Sequence, residues 1–432
     1  MRIVVLGLWH LGCVTAACMA RAGHQVTGLD PDPGVVEGLA RGRAPLSEPG
    51  LDGLIAEGLK RGNLSFGGDP AAVLASGDLL WVAFDTPVDE DDRADTEWVV
   101  ERVRECFPHL KAGSLIMVSS QLPVGSAAAL QAQVDRARAG AGIRVCVSPE
   151  NLRLGGALEA FLNPDRVVAG VPDAAAREAV AELFRPVTGR VEWMSPASAE
   201  MTKHAINAFL ALSVVFINEI AGLCERTGAD AREVERGLKS ESRIGPKAYL
   251  GAGSAFAGGT LARDLVFLDG IARREGGPGG LFASALESNA RHRGWPRQAL
   301  ESALGTVRGR RVAVLGMAYK PGTSTLRRSE GLELCRWLLG KGARVSAADP
   351  LVESLPGDFG GVALSRDWQT ALEGAEALVV MNSAPEWKGI RLSDLAGRNP
   401  APRVVDPSGL LADQAVPAGL EYLRVGLGRR RA

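Results

Sequence analysis

The sequence predicts an α/β fold in which two Rossmann-like, doubly wound domains are joined by a long central helix. Short apolar runs alternate with segments of helical length over the first 195 residues, a pattern typical of βαβ units in a parallel sheet. One long stretch of helical periodicity follows, and further short apolar runs occupy the C-terminal third. We therefore predict an α/β domain over residues 1–195, a helical region over 196–300 and a second α/β domain over 301–432.

The N-terminal domain contains apolar runs of strand length, separated by segments long enough for a crossover helix. The predicted strands are 3–7, 25–30, 79–84, 115–119 and 144–148. Such alternation favours a parallel sheet that is covered by helices on both faces.

The central segment predicts one long helix that starts near Pro196 and ends at Gly228. The helix is rich in Ala, Leu, Val and Phe, so much of its surface needs cover. A spine between two domains would provide that cover, and so would the interface of a homodimer.

The C-terminal third has the same layout as the first domain: strand, glycine, helix, strand and Asp-Pro. Its predicted strands are 311–316, 344–349, 377–381 and 403–406. The two halves therefore share a fold type without sharing a sequence repeat.

Composition excludes several classes of protein. The formal charge of −1 provides no field for nucleic acid or an anionic membrane. No uninterrupted apolar run reaches about 18 residues, so no transmembrane helix is expected. The six cysteines show no metal-ligand spacing and no CxxC pair, which predicts reduced thiols, a cytoplasmic protein and no metal site.

A glycine turn follows the first predicted strand and opens a helix. It reads Gly7-Leu8-Trp9-His10-Leu11-Gly12, a dinucleotide-binding fingerprint whose middle glycine is replaced by Trp9. Asp30 ends the second strand, where a carboxylate would bind ribose hydroxyls and repel a 2′-phosphate, which favours NAD over NADP. A βα turn with a capping acid and no ligand is the alternative.

Further motifs recur in order along nearly the whole chain. They are Gly42 with Pro45 and Glu48 to Leu51; Thr86-Pro87; Ser120, Pro123 and Gly125; Pro149-Glu150; Asn163 to Arg166; Lys203, Asn207, Asn218 and Glu219; Arg243 to Gly245; Asp264; and Lys320 to Thr323 with Arg327 and Ser329. The ordered set resembles the UDP-glucose/GDP-mannose dehydrogenase family of nucleotide-sugar dehydrogenases.

The resemblance implies NAD as cofactor and a UDP- or GDP-linked sugar as substrate. The implied cofactor-binding residues are Gly7, Trp9, His10, Leu11, Gly12, Asp30, Thr86, Pro87, Ser120 and Gln121. The implied substrate-binding residues are Glu150, Leu152, Arg153, Leu154, Lys203, Asn207, Arg243, Phe256, Gly258, Lys320 and Arg327. It also implies that Arg243 reaches the substrate of the second subunit in a homodimer formed through the central helix.

The implied catalytic residues are Lys203, Asn207, Asp264, Glu150 and Thr260. Lys203 and Asn207 lie four residues apart on one helix face, and the family uses this pair to hold the reacting oxygen. Without the resemblance, a snorkelling lysine and a hydrogen-bonded core asparagine would explain the two residues equally well.

Several positions depart from the family pattern. Thr260 stands where the resemblance places the catalytic cysteine, and a threonine hydroxyl is far less ionised than a thiol near neutral pH. Leu154 replaces a glutamate, Gln121 a threonine, Arg263 a lysine and Arg328 a glutamate. Ser324-Thr325 replaces an acidic pair, and Ser408 replaces the arginine of a late D-x-R motif.

These departures predict an NAD-dependent dehydrogenase that removes two electrons from the C6 position of a nucleotide sugar and yields an aldehyde or a ketone. Unusual sugars of antibiotic pathways need such a step. Two alternatives stay open. One is a non-catalytic relative that binds NAD or the nucleotide sugar; the other is a full UDP-sugar 6-dehydrogenase that makes the uronic acid.

Overall fold

The computed structural model describes residues 1–87, 89, 94–150, 152–257 and 259–427. The chain divides into two compact units, residues 1–206 and 207–432, which we call the N-terminal and C-terminal units. Their boundary lies within the long central helix.

The N-terminal unit is built around an eight-stranded sheet. Its strands are β1 (Arg2–Leu6), β2 (Gln25–Leu29), β3 (Leu64–Gly67), β4 (Leu79–Val82), β5 (Leu115–Val118), β6 (Arg144–Val147), β7 (Val167–Gly170) and β8 (Val191–Met194). Their order is β3-β2-β1-β4-β5-β6-β7-β8, and all neighbours are parallel except β6 and β7. The order reverses between β1 and β4, where doubly wound sheets bind their ligands.

Helices cover both faces of this sheet. They are α1 (His10–Arg21), α2 (Pro33–Ala40), α3 (Leu51–Arg61), α4 (Pro70–Leu74), α5 (Thr96–Cys106), α6 (Ser126–Ala137), α7 (Ala157–Leu162) and α8 (Ala174–Phe184), with a 3₁₀ turn at Phe107–His109. One core packs α1, α3, α7 and α8 against one face, and a second packs α5 and α6 against the other. Central strands such as Leu79–Val82 are therefore buried along their whole length.

A close contact between two glycines fixes helix α1 against strand β1. A Cβ atom on Gly12 would lie 1.7 Å from the backbone oxygen of Gly7, and Gly7 itself has φ +92°. Only residues without a Cβ atom allow this approach and this turn.

Helix α9 (Pro196–Thr227) continues from the N-terminal unit into the C-terminal unit. It ends at Gly228, as predicted, where φ is +82°. Helices α10 (Ala231–Ser240), α11 (Thr260–Arg274), α12 (Leu281–His292) and α13 (Trp295–Leu304) follow it in the C-terminal unit.

The rest of the C-terminal unit is a six-stranded parallel sheet with the order β11-β10-β9-β12-β13-β14. Its strands are β9 (Arg311–Leu315), β10 (Arg344–Ala348), β11 (Val362–Ser365), β12 (Ala377–Val380), β13 (Arg403–Asp406) and β14 (Tyr422–Arg424). Its helices are α14 (Glu330–Gly340), α15 (Trp368–Ala371) and α16 (Leu392–Ala396), with 3₁₀ turns at Gly357–Phe359 and Pro385–Gly389.

The predicted fold class is confirmed: two α/β domains with largely parallel sheets, and one long helix between them. The structure adds five strands that the sequence did not predict, namely β3, β7, β8, β11 and β14. The division into residues 1–195, 196–300 and 301–432 stays a prediction.

Helix α9 is long and apolar enough to cross a membrane, although the sequence was expected to contain no such segment. The expectation differs from this finding because α9 contains few charged residues, although polar residues divide its apolar residues into short runs. Buried polar residues, among them His204, Asn207 and Asn218, make hydrogen bonds within the protein. These contacts favour a helix of the protein interior over a membrane span.

We expect Gly12→Ala to destabilise the protein by roughly 3 kcal/mol, because the new methyl group would overlap the Gly7 carbonyl oxygen. The matched control is Gly53→Ala in α3, where an added Cβ meets nothing within 4 Å. Removing a helix-interior glycine there should stabilise by about 0.5–1 kcal/mol. Urea unfolding midpoints measure both effects, and equal midpoints for the two variants would contradict the proposed contact.

Candidate active site

The predicted cofactor residues of the N-terminal unit lie at the carboxyl ends of its strands. Gly7 to Gly12 form the turn between β1 and α1, and Asp30 follows β2. One Asp30 oxygen accepts a hydrogen bond from the Leu8 amide at 2.6 Å, and the other accepts one from the Asp32 amide at 3.0 Å. The carboxylate therefore orders the turn, and each of its oxygens keeps a lone pair for a ribose hydroxyl.

Trp9, which replaces the middle glycine of the fingerprint, leaves the space beside the glycine turn open. Trp9 is the N-cap of α1, and its side chain is 51% exposed, so the indole projects toward solvent. Thr86 follows β4, and its hydroxyl donates to the Gln121 carbonyl at 2.9 Å, which joins the loops after β4 and β5.

The residues present fit a dinucleotide. The Ser120 hydroxyl is buried beside the strand ends and has no hydrogen-bond partner among the described residues. A buried hydroxyl without a partner is unfavourable, so a ligand with polar groups would stabilise it. The Gly7 turn, Asp30 and Ser120 are the groups that would hold NAD.

Glu48 connects the glycine turn to the predicted substrate loop. Its carboxylate accepts a hydrogen bond from the Gly155 amide at 2.7 Å and one from the Ala157 amide at 3.0 Å, and it contacts His10 Nε2 at 3.0 Å. Burial raises the pKa of Glu48, but the hydrogen bonds from Gly155, Ala157 and His10 outweigh burial and hold this pKa below its ordinary value. Glu48 is therefore ionised at neutral pH and fixes the loop after β6.

The first turns of α9 bind the same strand-end loops through three side chains. Glu200 accepts from the Gly125 amide at 2.7 Å and the Ala127 amide at 2.8 Å, which caps α6. Lys203 donates to the Glu150 carbonyl, and His204 Nε2 lies 3.0 Å from the Leu122 carbonyl. Burial raises the pKa of Glu200, and the two amide hydrogen bonds oppose that rise.

A cavity of about 460 Å³ brings several predicted residues of the N-terminal unit together. Leu11 of the glycine turn lines it with Glu150, Leu152 and Arg153 of the substrate loop. Leu154 is not among its lining residues, and this side chain is exposed.

The C-terminal unit contains the second group of predicted catalytic residues. Asp264 on α11 is 0% exposed, and Asn207 on α9 donates to its carboxylate at 2.5 Å. Thr260 is the first residue of α11, one helical turn before Asp264, and it is exposed. A buried carboxylate held by an amide can orient or deprotonate a water molecule.

The family resemblance places a thiol at position 260, where this chain has Thr260, and none of the six cysteines is available to act in its place. All six are buried, and burial raises the pKa of Cys13, Cys18, Cys106, Cys146 and Cys335 to about 12. Burial also raises the pKa of Cys224. Thiols of this kind stay protonated and inert near neutral pH.

Three side chains, of which two are buried and one is half-buried, hold the segment that leads to Thr260. We call Asn218, Asn289 and His292 the loop clamp. Asn218 accepts from the Gly253 amide at 3.0 Å, and His292 Nε2 lies 2.7 Å from the Gly253 carbonyl. Asn289 bonds both the amide and the carbonyl of Phe256, at 3.0 and 2.8 Å. The predicted substrate residue Phe256 is thereby fixed.

Three further predicted residues, Lys320, Arg327 and Arg243, lie on the surface of the C-terminal unit. Lys320 and Arg327 belong to the loop before α14, and both are exposed. The side chain of Arg243 is 86% exposed and pairs with Glu241 at 3.0 Å. Gly258 lies outside the described residues. No group of three or more potential metal ligands occurs in the part of the chain that the structure describes.

Three segments of the chain match models of one protein family. Residues 1–188 match the NAD binding domain of the UDP-glucose/GDP-mannose dehydrogenase family, residues 197–291 its central domain and residues 313–413 its UDP binding domain. The UDP-glucose 6-dehydrogenase of Rhizobium meliloti (strain 1021) is 33% identical over 435 residues, which are 99% of each chain.

The chain belongs to the UDP-glucose/GDP-mannose dehydrogenase family. The UDP-glucose 6-dehydrogenase of Pseudomonas aeruginosa is 34% identical over 456 residues, covering 100% of this chain and 98% of that protein. A solved UDP-glucose dehydrogenase from the hyperthermophilic archaeon Pyrobaculum islandicum superposes with a TM-score of 0.87 and 31% identity, covering 99% of this chain and 98% of that one.

Family membership confirms two predictions from the sequence. The chain is an NAD-dependent oxidoreductase of the nucleotide-sugar dehydrogenase class, and it acts on a CH–OH group. The residue assignments stay predictions, as does the meaning of Thr260.

Sequence reasoning missed the residues that hold the loops of the site in place. Glu48 and Asn218 were noticed only as parts of motifs, and Glu200, Asn289 and His292 received no role at the site. The spacing of Glu200, Lys203 and His204 on one face of a helix was the available signal. The clamp residues Asn289 and His292 had no local signal, because their partners lie more than 30 positions away.

Acid should loosen the loop clamp. Burial lowers the pKa of His292 below its ordinary value, so the folded protein binds fewer protons than the unfolded chain. The stabilisation from neutral His292 is complete above about pH 6.5 and is lost as the pH falls below that value. His292→Gln, which can still donate to the Gly253 carbonyl, should lose less stability than the wild type between pH 7.5 and 5.5.

Urea unfolding at the two pH values measures this difference. His24→Gln is the matched control, because burial also lowers the pKa of His24, which lies in the N-terminal unit. Each variant should lose less free energy of unfolding between pH 7.5 and 5.5 than the wild type does. A His292→Gln protein with the full acid sensitivity of the wild type would contradict the assignment.

Proposed function

We propose that this protein oxidises the C6 hydroxymethyl group of a UDP-linked hexose and carries the oxidation through to the uronic acid. The observation that carries this proposal is similarity along the whole chain to UDP-glucose 6-dehydrogenases. The match to a UDP binding domain favours a UDP-linked substrate. The relatives thus favour the full oxidation over the single step that the sequence alone suggested.

Side chains of α9 and α11 would perform the proton chemistry. Lys203 and Asn207, four residues apart on α9, would hold the alcohol oxygen, and an ammonium group stabilises the alkoxide that forms there. Lys203, or a water molecule on Asp264, would take the hydroxyl proton. NAD, when bound, supplies the hydride acceptor.

The second oxidation does not require a thiol. An aldehyde adds water reversibly, and its hydrate is again an alcohol that can lose a hydride and a proton to give the acid. Asp264 supports this route because its buried carboxylate, held by Asn207, can orient the water that adds. The overall conversion consumes one water and two NAD and forms one carboxylate.

A second candidate is a single two-electron oxidation, which Thr260 favours. A threonine hydroxyl forms no thioester, and the six buried cysteines provide no substitute. The product would then be an aldehyde, or a ketone where the oxidised carbon is secondary. An unusual-sugar or antibiotic pathway would be the setting for such a product.

Counting NADH per sugar separates the two candidates. With UDP-glucose as limiting substrate, the proposed function predicts two NADH per sugar and UDP-glucuronic acid as product. Thr260→Ala should keep at least about a third of the wild-type turnover, because no covalent bond to Thr260 is involved. One NADH per sugar, with an aldehyde that hydrazine reagents trap, would establish the second candidate instead.

Lys203→Met serves as the control for this experiment. Removing the ammonium group should slow NADH formation at least about a hundredfold while the thermal midpoint stays near that of the wild type. Unchanged turnover in this variant would refute the role of Lys203.

We further propose a homodimer formed through α9. Phe209, Phe216 and Leu223 repeat at intervals of seven residues on this helix, and all three are exposed in the single chain. A seam with this spacing is typical of paired helices, and exposed apolar stripes of this length usually mark interfaces. The same seam on a second copy would cover it around a twofold axis.

Charges placed in this seam should separate the dimer. Phe209→Glu combined with Phe216→Glu should give a monomer in light scattering after size-exclusion chromatography, because the two carboxylates would be buried without partners. Leu351→Glu, which alters an exposed leucine outside α9, is the control and should remain dimeric. A wild-type protein that is already monomeric would refute the interface.

A further inference from the structure

The backbone of Arg328 has a conformation that side chains other than glycine rarely adopt. Its φ is +62°, and it is the one non-glycine residue with positive φ in the part of the chain that the structure describes. Such a conformation persists only where the surrounding structure enforces it, and it often marks a functional position.

Hydrogen bonds on both sides of Arg328 enforce this conformation. Ser329 follows it directly, caps α14 by accepting from the Leu332 amide at 3.0 Å, and donates its own amide to the Leu326 carbonyl at 3.1 Å. At the start of the same loop, Asp349 accepts from the amides of Met317 and Ala318 at 2.8 and 2.9 Å. The loop from β9 to α14 is thus tied down at both ends.

The Arg328 guanidinium lies against the turn that precedes Thr260. A Cβ atom built on Gly259 would approach Arg328 Nη1 at 3.3 Å and the Tyr319 hydroxyl at 3.6 Å. Arg328 therefore places a permanent positive charge one residue from Thr260.

Two departures from the family pattern thus meet in space. The family resemblance places a cysteine at Thr260 and a glutamate at Arg328. The loss of the thiol and the reversal of charge lie on neighbouring segments, although 68 residues separate the two positions in sequence. A cation at this place stabilises negative charge on any oxygen that is bound beside Thr260.

We propose that Arg328 binds the negatively charged oxygens that form on C6 of the sugar during the second oxidation. This inference rests on the proposed function. Water adds across the C=O bond of the aldehyde, and loss of one proton to a base gives the anion of the hydrate. The C–H bond would then break, and its electron pair would leave as a hydride, for which NAD is the acceptor. This gives the carboxylic acid, which loses its remaining proton to water and becomes the carboxylate.

The guanidinium would hold first the anion of the hydrate and then the carboxylate. Both carry oxygens that a planar fork of N–H donors can bind in pairs, whereas the neutral hydroxymethyl group of the unreacted sugar offers no charge. Arg328 therefore discriminates between ligands that differ only in the oxidation state of C6.

Binding to the cofactor-free protein tests this discrimination without turnover. Calorimetry compares UDP-glucuronic acid with UDP-glucose, which lacks the carboxylate. Arg328→Gln should weaken the binding of UDP-glucuronic acid at least about tenfold and change that of UDP-glucose by less than about twofold. Arg366→Gln, which removes an exposed arginine paired with Glu353, is the control and should change neither affinity.

A second variant separates binding from folding. Arg328→Gly removes the guanidinium but adopts positive φ freely, so its thermal midpoint should equal or exceed that of the wild type. Its affinity for UDP-glucuronic acid should fall as in Arg328→Gln, while its affinity for UDP-glucose stays near that of the wild type. Arg328→Lys, which keeps a positive charge, should bind UDP-glucuronic acid more tightly than either neutral variant. During turnover, both neutral variants should release aldehyde, so that NADH per sugar falls from two toward one.

The outcomes distinguish the inference from the proposed function. If the wild type forms two NADH per sugar and the neutral variants weaken both ligands equally, the role of Arg328 is wrong and the proposed function stands. If the wild type binds neither ligand or forms one NADH per sugar, both are overturned. Selective loss of UDP-glucuronic acid in the Gln and Gly variants supports both.

Discussion

Buried and half-buried carboxylates that accept hydrogen bonds from backbone amides organise the loops on which the chemistry depends. Parallel strands end in loops whose amide groups have no partner in the sheet, and burying such groups without hydrogen bonds is unfavourable. Asp30, Glu48 and Glu200 satisfy these amides in the N-terminal unit, and Asp349 does so in the C-terminal unit. Each of the four accepts at least two hydrogen bonds from the protein, so each fixes a loop rather than a single atom.

Both sheets contain the same arrangement, in which a carboxylate after one strand binds the turn after the neighbouring strand. Asp30 at the end of β2 binds the turn after β1, and Asp349 at the end of β10 binds the turn after β9. A glycine in the following helix then meets the glycine that ends the first strand: Gly12 meets Gly7, and an added Cβ on Gly331 would lie 2.2 Å from the Gly316 oxygen. In the second sheet the loop between strand and helix is longer, and that extra length carries Arg328.

The sequence predicted the parts of the fold whose signals are local. Central strands such as β4 and β9 are short apolar runs, and α9 is a long periodic segment with a glycine at its end. The missed strands β3, β8 and β11 lie at sheet edges and are partly exposed, so they lack a continuous apolar run. Strand β7 was missed for another reason, because it returns antiparallel to β6 outside the βαβ pattern.

In the candidate site, too, the sequence predicted the residues whose signals are local. Lys203 and Asn207 were found because they repeat within one helix, and Asp30 because it stands at a fixed distance from a glycine turn. Glu48 and His292 act through partners 107 and 39 residues away in sequence. Contacts of this kind depend on the tertiary fold, and one sequence without its structure does not reveal them.

The burial of every cysteine has a practical consequence. A thiol reagent can modify these side chains only when the chain around them opens, so the rate of modification measures that opening. Cys13, Cys18, Cys106 and Cys146 report on the N-terminal unit, and Cys224 and Cys335 on the C-terminal unit. Peptide mapping of the labelled sites would therefore rank the local stability of the two units in one native sample, without denaturant. An electrophilic inhibitor designed against an active-site thiol would, by the same reasoning, find no accessible target in this protein.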